Sequence, residues 1–255
     1  MGQAICAGLL CIDGIAPSFV TVANPGAEKR SLIAAKYGVC TVEENPYALP
    51  ADTVILAVKP AKAVEVMREL TEAGFEGGIV ISVAAGVSTA TLAQVVADDV
   101  QIVRVMPNTP LTVGAGMCAI SGAENVTEAT LDMVYDLFST MGSAVIIPEE
   151  LQDAATAISG SGPAYFEFFV RSMQQAGIDL GLEEGVALKL ALQTMRGTAE
   201  MLATTNQDLD EAIAQVSSPG GTTVAALDAM REAAVDQGII AGVNAAAARS
   251  KELGA

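Results

Sequence analysis

A stretch of hydroxyl and glycine residues near the end of the chain has the pattern of a binding site for a small anion. Residues 216–227 read Val-Ser-Ser-Pro-Gly-Gly-Thr-Thr-Val-Ala-Ala-Leu, a Pro-Gly-Gly turn followed by a helical pattern. Free N–H groups of the first helical turn and the positive end of the helix dipole would converge there on a carboxylate or phosphate. An ordinary capped helix start explains the same residues, because Ser and Thr are preferred N-caps and Gly is common in turns. Both interpretations stay open at this point.

The elements that precede this stretch have the pattern of a nucleotide-binding fold. Short runs rich in Val and Ile predict strands, and the segments between them keep the helical spacing of Leu, Val, Met and Ala. The predicted strands are 19–22, 38–41, 53–58, 78–83, 100–106, 116–121 and 143–147. The predicted helices are 28–37, 61–72, 89–97 and 127–141. This alternation predicts an α/β fold with a mostly parallel, doubly wound sheet.

After Ile147 the strand pattern stops, and the chain becomes rich in Ala, Leu, Met, Glu and Gln with helical periodicity. We therefore predict a Rossmann-type dinucleotide-binding domain at residues 1–148 and an all-α domain at 149–255. The predicted helices of the second domain are 149–180, bent by glycines and a proline at 159–163, then 183–203, 209–215, 222–236 and 239–253. A helical domain of this size and Ala content has few ways to bury its apolar faces without a partner. We predict an obligate homo-oligomer with this domain in the interface.

Composition excludes several partners. The net charge is −17 with only 13 Lys and Arg in 255 residues, which argues against nucleic acid, because a polyphosphate needs a basic surface. No apolar run reaches the roughly 18 residues of a membrane span, and we expect a cytoplasmic protein without a membrane partner. Cys6, Cys11, Cys40 and Cys118 have no regular spacing and histidine is absent, so we expect reduced cysteines and no metal.

The missing histidine also constrains the chemistry. The commonest general acid or base at neutral pH is not available, so a proton must move through another group, through water, or not at all. Hydride transfer to an iminium that is already protonated needs little beyond position and electrostatics. The composition favours chemistry of that kind.

Four strings of residues occur in the order found in one family of enzymes. They are Leu56-Ala-Val-Lys-Pro60, Arg104-Val-Met-Pro-Asn-Thr-Pro110, Ser159-Gly-Ser-Gly-Pro-Ala-Tyr165 and Ser217-Ser-Pro-Gly-Gly-Thr-Thr223. From end to end the chain resembles the pyrroline-5-carboxylate reductases. The resemblance implies hydride transfer from NADPH or NADH to the imine carbon of pyrroline-5-carboxylate, which gives L-proline in the final step of proline biosynthesis. It also implies a Rossmann domain, a helical dimerisation domain, and a homodimer that assembles into a larger homo-oligomer.

The resemblance assigns the small-molecule substrate to the Pro-Gly-Gly loop. Its carboxylate would be bound by backbone N–H groups and hydroxyls of Ser218, Gly220, Gly221, Thr222 and Thr223. Thr223 would lie nearest the ring as the catalytic residue, with its hydroxyl on the imine or amine nitrogen. Ser161, Gly162 and Pro163 match a family segment close to the site and are explained equally well as a helix kink.

The resemblance also assigns the residues that bind the cofactor. They are Gly2, Gln3, Asn24, Asn45, Ala57, Val58, Lys59 and Pro60. Ala57–Pro60 end a strand where α/β sheets present their ligands, and the nicotinamide half would lie there. Without the resemblance, Lys59 is explained as a solvated strand end.

Cofactor preference depends on the residues that follow the first strand. Asn24 stands where NAD-selective folds often place an acid on the ribose 2′-OH, and Lys29 and Arg30 follow closely. A 2′-phosphate would be attracted by these cations, so we expect NADPH, with NADH possible. Asn45 matches a family asparagine near the adenosine half, although its spacing to Asp52 is one residue short.

The chain departs from the family at its beginning and at one later position. The family opens with a strand and a turn of the form GxGNMGxAI, and this chain begins at Met1-Gly-Gln-Ala-Ile5, the last part of that motif. We therefore expect the natural protein to be about ten residues longer, by one strand and a glycine turn. Ala212 is a smaller departure, where the family has a larger aliphatic residue, and it affects local packing.

Two other functions remain open from the sequence. Related NAD(P)-dependent imine or β-hydroxyacid reductases share this domain order, and the hydroxyacid enzymes generally use a lysine of the helical domain as acid and base. Lys189 is the only lysine between Lys62 and Lys251. The chain as written is also compatible with a non-catalytic oligomer that has lost cofactor binding with its first strand.

Overall fold

Strands and helices alternate through the first part of the chain in the computed structural model, which describes residues 1–254. Each predicted strand overlaps an observed one, because runs of Val and Ile between turn residues favour buried strands. The strands are β1 Thr21–Ala23, β2 Cys40–Val42, β3 Thr53–Leu56, β4 Ile79–Ser82, β5 Gln101–Pro107, β6 Gly116–Gly122 and β7 Gly142–Ile146. The helices of this part are α1 Gly2–Leu9, α2 Ala27–Tyr37, α3 Pro60–Glu72, α4 Thr89–Ala93 and α5 Glu128–Ser139.

The strands form two sheets. β1 and β2 pair in parallel, and β3 to β7 form a five-stranded sheet in chain order. Within the larger sheet β3, β4 and β5 run parallel, β6 is antiparallel to β5, and β7 is parallel to β6. The Rossmann-like α/β class predicted from the sequence is confirmed, and the division into two sheets is an addition to it.

Helix α1 packs against residues of both sheets. Its Ile5 lies in a buried cluster with Val103 and Val105 of β5, and its Cys6 lies in a second cluster with Ile33 and Val39 beside β2. β1 pairs only with β2 and β3 pairs only with β4, so each has one edge without a partner strand among residues 1–254. The two sheets are therefore joined through a helix rather than through hydrogen-bonded strands.

Helix α4 ends earlier than the hydrophobic pattern predicts. The N–H of Val95 bonds the carbonyl of Leu92 at 3.1 Å, a tight three-residue closure. The carbonyl of Val95 accepts the hydroxyl of Thr71 at 2.8 Å. The helix thus ends at Ala93, short of the predicted position 97, and a side chain of α3 bonds the carbonyl of Val95 beyond its end.

The predicted bend at 159–163 is a π-helical turn. A short helix α6, Gln152–Ala155, runs directly into a π turn at Thr156–Gly160, and helix α7, Gly162–Asp179, follows. The N–H of Ser161 bonds the carbonyl of Thr156 at 2.9 Å, five residues back. One residue more than an α-turn is thus accommodated here, which is a frequent feature of functional sites.

The chain divides into two compact units. The first comprises Met1–Ser161 together with the final residues from Ala246, and the second comprises Gly162–Ala245. The chain thus leaves the first unit after Ser161 and returns to it after Ala245. The domain limits proposed from the sequence, 1–148 and 149–255, remain a prediction.

The second unit is helical and leaves large apolar side chains exposed. Its helices are α7, α8 Glu184–Thr205, α9 Leu209–Gln215, α10 Thr222–Glu232 and most of α11 Val235–Leu253. Helices α7 and α8 pack closely, since a Cβ on Gly177 would lie 3.0 Å from the Cβ of Ala187. Phe168 is 63% exposed, and Leu190 and Ile239 are more than half exposed. Among the described residues, no helix is long and apolar enough to span a membrane.

The core of the first unit lies on both faces of the five-stranded sheet. One buried cluster centres on Phe138 of α5 with Val103 and Ile120, and the other centres on Met67 of α3 with Val80 and Ile102. Residues of β5 alternate between the two clusters, as the period of a strand requires. This sheet therefore gives a rigid base to the loops at its edges.

Phe138→Ala is expected to lower the free energy of unfolding by about 3–5 kcal/mol, because Phe138 is fully buried in this core and truncation leaves a cavity. Met133→Ala on the same helix, at a side chain 39% exposed, is expected to cost less than about 1 kcal/mol. Urea unfolding at one fixed protein concentration measures both. Equal losses for the two variants would show that this cluster does not hold the unit together.

Candidate active site

The turn from β3 into α3, Ala57–Pro60, forms a largely exposed strip at the edge of the sheet, with Lys59 as its charged side chain. Leu56 ends β3 as a buried residue, whereas Ala57 and Lys59 are exposed. Lys59 has extended backbone as the N-cap and Pro60 occupies the first helical position, as expected of proline and the residue before it. Because β3, β4 and β5 run parallel, their carboxyl ends share this edge. Ligands of α/β sheets are bound at such edges.

Helix α1 begins against this strip. A Cβ on Gly2 would lie 3.2 Å from the Cβ of Ala57, so the backbone of the helix start approaches the end of β3 closely. No side chain caps α1, and Gln3 of its first turn is exposed. The N–H groups of Gly2 and Gln3 are open to an anion, whereas that of Ala4 bonds the carbonyl of Met1 at 2.8 Å. The structure brings Gly2 and Ala57 together, as a dinucleotide site requires.

Lys59 is the cation of the strip that carries no ion pair among residues 1–254. The neighbouring Lys62 donates to both carboxylate oxygens of Glu65 at 2.9 and 2.7 Å. The hydrogen bond to Glu65 raises the pKa of Lys62, and the charge of Glu65 adds to this. Lys59 is thus the lysine of this turn that can meet a ligand without first leaving a carboxylate.

The end of β1 forms a second polar group around Asn24. Its Oδ1 accepts the N–H of Gly26 at 3.0 Å, and its carbonyl accepts Nη1 of Arg30 at 2.7 Å. The other terminal nitrogen of Arg30 bonds Glu43, just after β2, at 3.1 Å. No local sequence pattern predicts this carboxylate, because it lies 13 residues along the chain and becomes a neighbour only through the pairing of β1 with β2. Lys29 is exposed.

Asn45 is placed at the start of the turn that follows β2. Its Nδ2 donates to Oε2 of Glu69 on α3 at 2.8 Å. No hydrogen bond joins Asn45 to Asn24 or to the strip among residues 1–254. Its predicted place beside the adenosine half of the cofactor therefore stays a prediction.

In the second unit, the Pro-Gly-Gly loop leaves the start of α10 uncapped. Gly220 has a φ of +69°, and the N–H of Gly221 bonds the carbonyl of Ser218 at 2.9 Å. Gly221 is the N-cap and no side chain bonds the first turn, where Thr222 and Thr223 lie. The ordinary interpretation, a Ser or Thr side-chain cap, is therefore wrong for this helix. Its first-turn N–H groups have no side-chain acceptor.

A Cβ on Gly221 would lie 2.6 Å from Oγ and 2.9 Å from the carbonyl oxygen of Ser218. Glycine is thus required for the loop to fold back on itself. On the other side, Oγ of Ser217 bonds the carbonyl of Ile213 at 2.6 Å, which fixes the loop to the end of α9. Ser218 and Thr222 are exposed, and Thr223 is half-buried. Backbone donors and hydroxyls therefore lie together in one tight loop.

Asn108 is a residue of the sheet edge for which the sequence predicts no role. It follows β5, accepts the N–H of Met117 at 2.9 Å and donates to the carbonyl of Ser159 at 3.1 Å. The motif that contains Asn108 was noted from the sequence, but its partners lie 9 and 51 residues away and no local pattern reveals them. The kink explanation for Ser161 and Gly162 is supported, since they end the π turn and begin α7.

Two family models match the chain. Residues 149–253 match the model described as pyrroline-5-carboxylate reductase dimerisation, and residues 1–86 match NADP oxidoreductase, coenzyme F420-dependent. An α/β domain with open helix starts at its carboxyl edge, followed by a helical dimerisation domain, defines an NAD(P)H-dependent oxidoreductase.

Comparison over the whole chain identifies the family. A pyrroline-5-carboxylate reductase of Corynebacterium melassecola is 37% identical over 258 residues, covering 100% of this chain and 95% of the relative. One from Synechocystis is 38% identical over 255 residues with the same coverage. The chain belongs to the pyrroline-5-carboxylate reductase family.

Solved structures agree with this assignment. A pyrroline-5-carboxylate reductase of Coxiella burnetii superposes with a TM-score of 0.92 at 33% identity, and covers 100% of this chain and 95% of its own. A pyrroline carboxylate reductase of Plasmodium falciparum with NADP bound gives a TM-score of 0.89 at 29% identity and the same coverage. The predicted family, fold class and NAD(P)H-dependent enzyme class are confirmed.

Arg30→Ala is expected to raise the dissociation constant for NADPH about tenfold and to leave that for NADH unchanged, because it removes a positive charge from the place expected for the 2′-phosphate. Lys36→Ala, in the last turn of the same helix, is the control that leaves both constants unchanged. Quenching of the reduced cofactor's fluorescence measures each constant. Equal weakening of NADPH and NADH by Arg30→Ala would mean that Arg30 only supports the loop at Asn24.

Proposed function

We propose that this chain transfers a hydride from NADPH to the imine carbon of pyrroline-5-carboxylate and releases L-proline, acting in the cytoplasm. The observation that carries the proposal is the uncapped start of α10 at the Pro-Gly-Gly loop, whose N–H groups fit a carboxylate. The names of its relatives give the substrate, since each is a pyrroline-5-carboxylate reductase. Free cysteines, with Cys11 and Cys40 exposed, support a reducing compartment.

The residues around the strip fit a dinucleotide. The open first turn of α1 at Gly2 and Gln3 suits the pyrophosphate, and the turn Ala57–Pro60 suits the nicotinamide half beside it. Lys59 contributes the unpaired positive charge. When bound, NADPH supplies the hydride. The protein's part is to hold this group at the sheet edge and to exclude competing water.

Preference for NADPH is supported at the end of β1. Arg30 points at the carbonyl of Asn24, and Lys29 is exposed beside it. The uncapped start of α2 adds its positive end to these cations. The carboxylate of Glu43 neutralises one positive charge of this group, so that NADH, which lacks the 2′-phosphate, can also bind. The NADP-bound relative from Plasmodium falciparum supports the same choice.

The substrate is held by its carboxylate at Ser218–Thr223. Backbone N–H groups of Thr222 and Thr223 and the hydroxyl of Ser218 donate to it, and the hydroxyl of Thr223 bonds the ring nitrogen. The hydride adds to C5 of the protonated imine, and the electron pair of the C=N bond moves to nitrogen. The product is a neutral secondary amine, which takes a further proton from solvent.

Orientation provides most of the rate in this mechanism. The chain has no histidine, and the proposed reaction needs no side chain to move a proton at the reacting carbon. Holding two reactants in the attack geometry replaces a bimolecular encounter, which is worth about 7–11 kcal/mol in well-oriented systems. The loop and the strip therefore act by position and by backbone dipoles.

A homodimer that assembles into a larger homo-oligomer is the proposed working form. The chain carries the family's dimerisation domain at residues 149–253. Exposed apolar residues of α7, α8 and α11, including Phe168, Leu190 and Ile239, support burial against a second copy. We propose that the helical domain forms this interface.

We also propose that a strand pairs with both β1 and β3 and joins the two sheets. The division of the sheet supports it, because each of these strands has one edge without a partner among residues 1–254. A strand leading directly into α1 would end beside Ala57, where Gly2 already lies close. The glycine turn between them would complete the pyrophosphate site.

Thr223→Val is expected to lower kcat/KM about tenfold to hundredfold, because a hydrogen bond to a charged nitrogen is lost while the shape is kept. Lys189→Ala, at an exposed position of α8, is the control and leaves turnover unchanged. Oxidation of NADPH with pyrroline-5-carboxylate measures both. Loss of turnover in Lys189→Ala but not in Thr223→Val would instead indicate a hydroxyacid-type reductase.

A chain extended ahead of Met1 by an apolar strand and a GxG turn is expected to bind NADPH at least tenfold more tightly than the chain as given, about 1.4 kcal/mol. It should also unfold at higher urea concentration, since paired strand edges gain hydrogen bonds. An extension of equal length and scrambled, polar sequence is the control. The same affinity and midpoint in all three chains would rule out the joining strand.

A further inference from the structure

The side chain of Asn108 uses its acceptor and its donor at two different places. Oδ1 accepts the N–H of Met117 at the start of β6, and Nδ2 donates to the carbonyl of Ser159 in the π turn. These two bonds fix the orientation of the amide, since a flipped amide would set donor against donor and acceptor against acceptor. A residue with one acceptor and one donor is therefore required, and aspartate does not satisfy it.

The π turn packs against the end of β5 as well as bonding to Asn108. A Cβ on Gly160 would lie 2.8 Å from Cε of Met106, so the backbone of the turn touches the strand. Ser159 thus bonds the residue that follows β5, while the adjacent Gly160 packs on a residue within it. Two consecutive residues of the turn are held at one strand end.

This strand end shares an edge with the cofactor strip. Leu56 of β3 pairs with Ser82 of β4, which pairs with Arg104 of β5, and all three strands run in one direction. Asn108 therefore follows β5 at the same edge at which Ala57 follows β3. Two residues after Ser159, the chain leaves the unit that contains the strip. The hydrogen bond from Asn108 to Ser159 therefore fixes, relative to the strip, the point at which the chain leaves the first unit.

We infer that Asn108 is a positioning residue for hydride transfer. This inference rests on the proposed function, in which the strip holds the nicotinamide and the loop at 218–223 holds the substrate. The strip, Asn108 and the π turn that Asn108 holds all lie at the carboxyl edge of β3, β4 and β5 in the first unit. Reacting atoms must be placed to within about 1 Å, and a misplacement of that size costs about a hundredfold in rate. A π turn fixed at this edge reduces such misplacement of the nicotinamide.

Asn108→Asp tests the inference with little change of shape. The carboxylate still accepts from Met117 but repels the carbonyl of Ser159, so the π turn separates from the strand end. Asn125→Asp is the matched control, because Nδ2 of Asn125 also holds backbone carbonyls, those of Asp98 and Val100, but near the opposite end of β5. Asn108→Ala is a second variant that removes both bonds.

The measurements are kcat, KM, the deuterium isotope effect on kcat with NADPH labelled at the transferred hydrogen, NADPH affinity, and the urea midpoint of the intact oligomer. For Asn108→Asp and Asn108→Ala, kcat is expected to fall about tenfold to hundredfold and the isotope effect to rise, because hydride transfer becomes slower than the other steps. NADPH affinity should change by less than about twofold. Asn125→Asp should lower the midpoint and leave kcat and the isotope effect unchanged.

Hydrogen exchange gives a readout that does not need turnover. Amides of residues 156–162 are expected to exchange faster in Asn108→Asp and unchanged in Asn125→Asp, since only the first variant frees the turn. Unchanged exchange at this turn overturns the inference whatever the turnover. Faster exchange with normal kcat and isotope effect overturns it as well. Absence of turnover both in the unmodified chain and in the chain extended by the strand and glycine turn would instead refute the proposed function, and the two failures are thereby distinguished.

Discussion

A buried ion pair holds the point at which the polypeptide leaves its last strand. The side chain of Arg104, in β5, is 7% exposed and lies 3.5 Å from Oε1 of Glu149, whose side chain is 25% exposed. The carboxylate also accepts the N–H and the hydroxyl of Thr89 at the start of α4. Removing Glu149 would leave a guanidinium in the sheet without its counter-charge, which typically costs about 3–5 kcal/mol. Three separate elements therefore meet at one carboxylate.

The path that follows depends on this anchor. Gln152, three residues later, is fully buried and donates to the carbonyl of Ala119 and the hydroxyl of Ser121 on β6. At the other end of the path, Ser159 is bonded by Asn108. The segment 149–159 is thus held at Glu149 by Arg104, at Gln152 by β6 and at Ser159 by Asn108. Side chains of the sheet therefore determine its direction where the chain leaves the first unit. A π turn fits such a path, because the extra residue lets the helix meet fixed points.

Local patterns were sufficient to predict the elements but not their pairing. The strands are found where runs of Val and Ile predict them, since these side chains favour the buried, pleated surface. Hydrophobic period carries no information on direction, so the antiparallel pairing of β6 with β5 and the division into two sheets were not predictable. The bend after position 158 was predicted from glycines and proline, although its π geometry depends on contacts with β5.

The same distinction applies to the candidate site. The Pro-Gly-Gly loop was found from sequence because its geometry is local: Gly221 must lack a Cβ beside Ser218. The partners of Arg30 and Asn108 were not found, because Glu43 and Ser159 become their neighbours only through the fold. The role of a residue that acts through its own backbone can be predicted from the local sequence. The role of a residue that acts through a distant partner can be seen only in the structure.

An acidic protein that binds anionic ligands must place positive potential locally, and helix starts provide it here. Helices α4, α5 and α9 are capped by the side chains of Ser88, Thr127 and Asp208. Helices α2, α3 and α10, which begin at the proposed cofactor and substrate groups, have no side-chain cap, and α8 has none either. An open first turn carries about half a positive charge and free N–H donors at no cost in lysine or arginine. A protein with a net charge of −17 can therefore bind a dinucleotide and a carboxylate. The backbone N–H groups at the starts of these helices supply the local attraction for the anions.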